Sequence, residues 1–154
     1  MTGSLGCRLY LSWEHDSTCM VRFKAVVEAL EKSGDCYCFY DRDGDCVEVV
    51  PRDTQDPAER RMLSEVFEDD SGRYVEIEKD PDLEREIMEN FVETIDDEDL
   101  ALRFDAALNR RNAESNFRVL VCEARMDKLW RSFRESKYSG EAKLLCDSAD
   151  IPTE

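Results

Sequence analysis

Residues 36–50 read CYCFYDRDGDCVEVV, two runs of β-branched, aromatic and cysteine residues on either side of Asp43-Gly44. An Asp-Gly pair between such runs is a strong signal for a tight turn between antiparallel strands. The register across the turn pairs Tyr40 with Val47, Cys38 with Val49 and Phe39 with Glu48. The first two pairs form an apolar face and the third a mixed one. We therefore predict a hairpin with one solvated side and an exposed tip.

Helical and strand patterns on both sides of the hairpin predict an α+β fold. From Met20 to Ser33 apolar residues recur every three or four positions, and Gly34 follows as a helix stop. Residues 73–78, RYVEIE, alternate as a third strand with Val75 and Ile77 inward. After this strand the periodicity is helical. The predicted architecture is an N-terminal helix, a small three-stranded antiparallel meander covered on one face, and a helical C-terminal half.

A short helix is predicted between the hairpin and the third strand. Pro51 ends the second strand, because proline has no N–H to donate to a neighbouring strand. Asp56-Pro57 has the pattern of a helix start, with proline at the first helical position. The apolar stripe of this helix consists of Met62, Leu63, Val66 and Phe67, and EDDSG ends it.

The charge is strongly acidic and unevenly distributed, with a net charge of −16. Residues 36–79 carry six basic and thirteen acidic groups, a net charge of −7, and residues 80–109 carry two and eleven, a net charge of −9. Residues 110–154 carry nine and eight, a net charge of +1. An acidic block repels nucleic acid, so only the C-terminal third is compatible with nucleic-acid binding.

Cysteine usage and the lack of long apolar runs favour a cytoplasmic protein. The chain has seven cysteines at scattered spacings, and this odd number in a chain of 154 residues predicts reduced thiols that mostly fill the core. The N-terminal residues lack the basic start and sustained apolar stretch of a secretion signal. No apolar run approaches the length of a bilayer span, so we expect no membrane contact.

The side chains that usually bind metals or catalyse reactions are not grouped in the sequence. A calcium loop starting at Asp41 requires glycine at its sixth position and glutamate at its twelfth, where Cys46 and Arg52 stand. The clustered thiols form only a C-x-C pair, and the single histidine, His15, lies far from them. Three alternating aspartates attract a cation weakly, but a plain turn explains them better. We predict no metal, no cofactor and no enzymatic activity.

An ordered series of short motifs runs along the chain. Glu28-Ala29-Leu30 ends the early helix, the hairpin follows, and later helices carry IMENFVET, NFR and W-x-x-F-R patterns. The residues that carry the series are Glu28, Ala29, Leu30, Ile87, Met88, Phe91, Glu93, Thr94, Phe117, Arg118, Trp130, Phe133 and Arg134. Over roughly residues 20–146 this series resembles the bacterial uncharacterised protein family 0158. The resemblance implies the fold given above, and it implies no activity, ligand or partner.

Three features depart from the family pattern. Residues 1–19 have no counterpart, so we predict an extension that is disordered or that is not translated if synthesis starts near Met20. Residues 51–72 form a longer and more helix-like connection than the resemblance implies, and Gly140 interrupts the last helix. The predicted organisation is an extension at 1–19, a helix and small sheet at 20–79, and a helical part of the same domain at 80–154.

Two surfaces are candidates for contact with a partner protein. Trp130 and Arg134 lie one helical turn apart, and with Arg118 they form a basic-aromatic set typical of interfaces and single-stranded nucleic-acid platforms. Glu89 and Glu93 lie on the acidic face of the helix over residues 80–95. For the basic-aromatic set we favour packing of Trp130 in the core, with the arginines paired to acidic helices, over an exposed interface.

The favoured function is a non-enzymatic protein-binding or regulatory module whose partner is another protein. Two other functions stay open. The basic C-terminal helices could contact nucleic acid through Arg118, Arg125, Arg131 and Arg134, or the acidic block at residues 65–99 could mimic nucleic acid towards a DNA-binding protein.

Overall fold

A computed structural model describes the backbone of residues 15–153 and the side chains of residues 22–153. Within this range six helices and three strands follow one another. They are α1 (His15–Lys32), β1 (Cys36–Asp41), β2 (Cys46–Pro51), α2 (Pro57–Glu68), β3 (Tyr74–Glu76), α3 (Leu83–Glu93), α4 (Glu98–Leu108), α5 (Ala113–Glu123) and α6 (Asp127–Ala149). The predicted α+β class and the three-stranded antiparallel sheet are confirmed. Residues 1–14 of the predicted extension lie outside the described residues, whereas its residues 15–19 form the start of α1.

The predicted register of the hairpin is confirmed, but the meander is wrong. The β1–β2 pairs are Tyr40 with Val47, Phe39 with Glu48 and Cys38 with Val49, as the turn signal indicated. The strand order is β2-β1-β3, so β1 rather than β2 is central. The connection from β2 contains α2, whose Leu63 packs on Phe39 and Val50. This helix carries the chain across the sheet, and β3 then pairs with the free side of β1.

Both faces of the central strand are covered, so the prediction of one solvated face is wrong for β1. Phe39 is buried under α2, in a cluster with Val50 and Leu63. Cys38 and Tyr40 point to the opposite face and are equally buried, and α1 packs against β1 and β2. A central strand between helices buries both of its alternating sets of side chains. In β3, Ile77 just beyond the strand is buried and Glu76 is exposed, as predicted.

The chain contains two compact units. One comprises residues up to Lys79 together with residues from Tyr138 onward, and the other comprises Asp80–Lys137. The first contains the sheet, α1, α2 and the C-terminal half of α6. The second has an aromatic core in which Phe91, Phe104 and Phe117 are buried. Membership of both units in one folding domain remains a prediction.

Helix α6 continues through Gly140 without the predicted interruption. A Cβ atom built at Gly140 would have no neighbouring heavy atom within 4 Å. Helix packing elsewhere along α6, at Tyr138, Ala142 and Cys146, keeps the glycine helical. Gly140→Ala is therefore expected to raise the free energy of unfolding by about 0.5–1 kcal/mol, since alanine loses less backbone entropy on folding. Urea denaturation measures this, and a lower stability of the variant would contradict the expectation.

Candidate functional site

Trp130 belongs to the aromatic core of the second unit. Its ring centroid lies 4.7 Å from that of Phe117 and 5.2 Å from that of Phe91, both in edge-on geometry. Phe133 also packs edge-on against Phe91, at 5.4 Å. Trp130 is half-buried. The side chain of Trp130 therefore packs among the helices around it, as the favoured interpretation of the sequence indicated.

The two arginines of the basic-aromatic set lie in different environments. Arg134 makes a two-pronged contact with Glu84, with its Nε 2.9 Å from Oε2 and its Nη2 3.3 Å from Oε1. These side chains are only 24% and 16% exposed. Arg118 pairs with Glu114 one helical turn away, and both side chains are at least half exposed. Within the basic-aromatic set, Arg118 is exposed, whereas Trp130 and Arg134 are partly buried.

The acidic face of α3 is exposed. Glu89 accepts a hydrogen bond of 3.0 Å from Arg85 Nε within the same helix. Glu86 and Glu93 are also exposed. This face is therefore accessible, but α3 itself already compensates part of its charge.

The aspartates around the hairpin tip are held by arginines from distant parts of the chain. Arg73 donates two hydrogen bonds, of 2.8 and 3.0 Å, to Asp41, and Arg22 donates two, of 2.8 and 2.6 Å, to Asp45. Asp45 also accepts a hydrogen bond from the Tyr40 hydroxyl. Asp45, at φ 51°, takes the left-handed conformation in the loop. Within residues 22–153 no group of three His, Cys, Asp or Glu side chains could hold a metal ion.

Asp41 is buried, although the sequence predicted an exposed hairpin tip. Its residue is 8% exposed, whereas the side chain of Asp43 is 72% exposed. Burial by itself raises the pKa of Asp41, but the Arg73 hydrogen bonds, the Gly44 and Asp43 backbone N–H groups and the Arg73 charge outweigh it and lower the pKa. Asp41 joins the segment before β3 to the hairpin, a role that its turn position did not reveal.

The lowered pKa values of Asp41 and Asp45 predict loss of stability in acid. Burial raises the pKa of Asp45, but Arg22 and the Tyr40 hydroxyl outweigh this effect and lower it. Both carboxylates thus stabilise the fold above their unfolded-state pKa of about 4, and this stabilisation is lost as pH falls through the lower folded-state values. Urea denaturation between neutral pH and the acid limit should show this decline. Asp41→Asn should be less pH-dependent than the wild type; an equal slope would contradict the assignment.

Burial disfavours the thiolate form of two cysteines, Cys38 and Cys146. Burial raises the pKa of Cys38 to about 11, with the neighbouring Cys36 adding to the rise, and burial also raises the pKa of Cys146. Cys36, Cys38, Cys122 and Cys146 are free, but Cys46 is disulfide-bonded. The prediction that all cysteines are reduced is therefore wrong at Cys46.

A cavity of about 300 Å³ lies beside α2 and β3, and we call it the α2–β3 cavity. Two aromatic pairs line it. The rings of Tyr37 and Phe67 meet edge-on with centroids 5.3 Å apart, and those of Phe39 and Tyr74 do so at 5.6 Å. Phe67 is 60% exposed, whereas Phe39 is buried. Both exposed Phe67 and buried Phe39 thus contribute to the lining of the cavity.

Carboxylates surround the aromatic walls of this cavity. Asp69, Asp70 and Glu76 line it and are exposed. Helix α2 ends at Glu68, directly beside it, and the last turn of this fully described helix contains no basic residue. The negative end of the helix dipole and these carboxylates therefore act in the same direction. The resulting field favours a cation.

Two of the protein's own arginines show that these rings attract cations. The guanidinium of Arg52 lies 4.4 Å from the Tyr37 ring centroid, and that of Arg73 lies 4.9 Å from the Tyr74 centroid. Among the described residues that line the cavity, neither arginine is present. Aromatic walls with carboxylates are the chemistry that binds ammonium and guanidinium groups.

The sequence pattern did not identify this site. The spacing of Phe67 placed it in the apolar stripe of α2 with Leu63, yet Leu63 is buried and Phe67 is not. The available signal was an aromatic residue followed by three acidic ones, in FEDD at residues 67–70. Helix α2, in the connection between β2 and β3, supplies part of the cavity lining.

The fold and site define a small α+β protein with a helix-covered three-stranded sheet and an acidic, aromatic surface cavity. The model of the uncharacterised protein family UPF0158 matches residues 17–141. The chain belongs to this family, as the motif series indicated. Neither the search of curated proteins nor that of solved structures gives a significant match. None of the described helices has both the length and the apolarity needed to cross a membrane.

Proposed function

We propose that the chain is a non-enzymatic protein-binding module and that its partner contributes a basic segment. The observation that carries the proposal is the α2–β3 cavity, in which exposed Phe67 stands beside Asp69, Asp70 and Glu76. An exposed aromatic residue beside a preformed cavity is typical of a hot spot at an interface. The surrounding carboxylates select a partner of opposite charge.

The local charge supports a basic partner over an acidic one. Residues 65–76 contain five acidic groups and one basic group, Arg73. Arg73 is already engaged by Asp41, at 2.8 Å, and lies 3.4 Å from Asp43. The partner's lysines or arginines would therefore supply the compensating charge. This surface also lies within the acidic block that could mimic nucleic acid, so a DNA-binding protein is one possible source of the basic segment.

Binding of a short peptide of alternating lysine and threonine tests the proposal. Wild-type protein should bind this peptide and should not bind the matching glutamate–threonine peptide. Phe67→Ala should weaken binding by about tenfold, the equivalent of one cation–π contact with its buried area. The matched control is Leu144→Ala, because Leu144 is equally exposed, at 63%, and lies outside the cavity.

Two triple variants measure how much the cavity carboxylates contribute to peptide binding. Asp69→Asn, Asp70→Asn and Glu76→Gln together should abolish most of the salt dependence of peptide binding. The control removes the same number of carboxylates from α3, through Glu86→Gln, Glu89→Gln and Glu93→Gln. If the α3 variant loses binding and the cavity variant retains it, the acidic face of α3 is the binding site instead. Binding of labelled DNA or RNA with steep salt dependence would favour the nucleic-acid alternative and overturn the proposal.

We also propose a cytoplasmic location, supported by the four free thiols and opposed by the disulfide at Cys46, since disulfides are rare in the cytosol. Cell fractionation followed by immunoblotting measures the location. Recovery of the protein outside the cytosolic fraction would contradict this part of the proposal.

A further inference from the structure

Strand β3 lies at one edge of the sheet that the described residues form, next to the α2–β3 cavity. Its pairing with β1 includes bonds from Ile77 N to Cys38 O, at 2.8 Å, and from Arg42 N to Arg73 O, at 2.9 Å. Hydrogen-bonded and non-hydrogen-bonded pairs alternate in an antiparallel ladder, so the intermediate hydrogen-bonded pair is Tyr40 with Val75. The backbone groups of Tyr74 and Glu76 therefore point away from β1.

The two edges of the sheet differ in their capacity to accept another strand. At the β2 edge, Arg52 N donates a hydrogen bond to Asp35 O. The neighbouring pair, Pro51 with Cys36, is therefore a non-hydrogen-bonded pair, and the backbone of Pro51 faces away from β1. Proline has no N–H, so that edge is blunted. The β3 edge contains no proline, and its two outward-facing residues both line the cavity.

We propose that the partner's basic segment binds in an extended conformation, as a fourth antiparallel strand on β3. This inference rests on the proposed function and specifies its geometry. In an antiparallel pair, the residue opposite Tyr74 or Glu76 exchanges hydrogen bonds with it and directs its side chain to the same face. Alternate residues of the partner therefore bond to β3 and direct lysine or arginine side chains toward the cavity.

The charge of this chain favours a basic protein over a second copy of the chain as the binding partner. Self-pairing through β3 would bring the acidic residues from Glu65 to Glu76 of one copy close to those of the other, and each copy has a net charge of −16. Like charges placed opposite each other across strands are destabilising. A basic segment paired with β3 avoids this repulsion between like charges and forms the proposed fourth strand.

N-methylation of the lysine–threonine peptide tests the geometry. Methylating the backbone nitrogens of the lysines removes the donors that face β3, so affinity for wild-type protein should fall by about tenfold or more. Methylating the threonine nitrogens should change affinity by less than about twofold, because those N–H groups point away from β3. In amide exchange by NMR, Tyr74 and Glu76 should become protected on binding.

The outcomes separate this inference from the proposed function. If the unmethylated peptide does not bind, the proposed function fails and the inference fails with it. If the peptide binds and Phe67→Ala weakens it, but the two methylated series lose affinity equally, only the fourth-strand geometry is overturned. Unchanged exchange at Tyr74 and Glu76 in the saturated complex would have the same meaning.

Discussion

Replacing Phe117 with alanine is expected to lower the free energy of unfolding by about 3–5 kcal/mol, the usual range for an aromatic residue removed from a core. Phe117 has no exposed surface. Its ring packs against those of Phe104, at 5.1 Å, and Trp130, at 4.7 Å. Phe91, at 6.0 Å, completes the cluster. Alanine leaves these rings facing a cavity, and four helices supply the residues around it.

Urea denaturation followed by far-UV circular dichroism measures this loss. The matched control is Leu129→Ala, because Leu129 is 62% exposed on α6, and its removal should cost less than about 0.5 kcal/mol. A Phe117→Ala protein as stable as the Leu129→Ala protein would show that the aromatic cluster does not hold the second unit together.

Replacing Arg134 with alanine is expected to lower the free energy of unfolding by about 1–3 kcal/mol. The variant leaves the carboxylate of Glu84 without this two-pronged contact in a site where its side chain is only 16% exposed. Arg118→Ala is the matched control, since the Arg118–Glu114 pair is at least half exposed. Exposed pairs contribute little, so that variant should change stability by less than about 0.5 kcal/mol.

A double-mutant cycle with Glu84→Gln separates the pair from other effects of truncating Arg134. The double variant should lose less stability than the sum of the two single variants. Each single substitution already removes the contact between Arg134 and Glu84, and that contact can be lost only once. Additive losses, or equal losses for Arg134→Ala and Arg118→Ala, would contradict a stabilising role specific to Arg134.

Because Trp130 and Arg134 contribute to the packing of the second unit, they are unsuitable positions for a test of binding. A Trp130→Ala or Arg134→Ala variant changes the packing of the second unit, so lost binding in such a variant would not identify an interface. Phe67 and the carboxylates around it are exposed. Their substitution therefore tests binding with the least effect on folding.

Local sequence determined the hairpin but not its place in the sheet. The Asp-Gly turn and the alternation of residues beside it predicted the pairing of Tyr40 with Val47 correctly. The choice of β1 as the central strand depends on where α2 packs, which is a tertiary effect. For the same reason the sequence did not show that Asp41 would be buried against Arg73, a residue 32 positions away.

The cavity was hidden from sequence reasoning because periodicity alone does not separate a core residue from an exposed one. Leu63 and Phe67 lie one helical turn apart on the same stripe of α2. The ring of Phe67 contacts that of Tyr37 and remains 60% exposed, whereas Leu63 is buried. By contrast, the apolar spacing of Trp130 and Phe133 already favoured core packing, and Trp130 packs against the core of the second unit.

The central claim is that a basic segment binds at the α2–β3 cavity. NMR titration of the isotopically labelled full chain with the lysine–threonine peptide tests it most directly. The amide signals of Phe67, Asp70, Tyr74 and Glu76 should shift together and saturate, and the same titration of Phe67→Ala should need about tenfold more peptide. Shifts confined to Glu86, Glu89 and Glu93, or to the residues around Trp130, would contradict the claim.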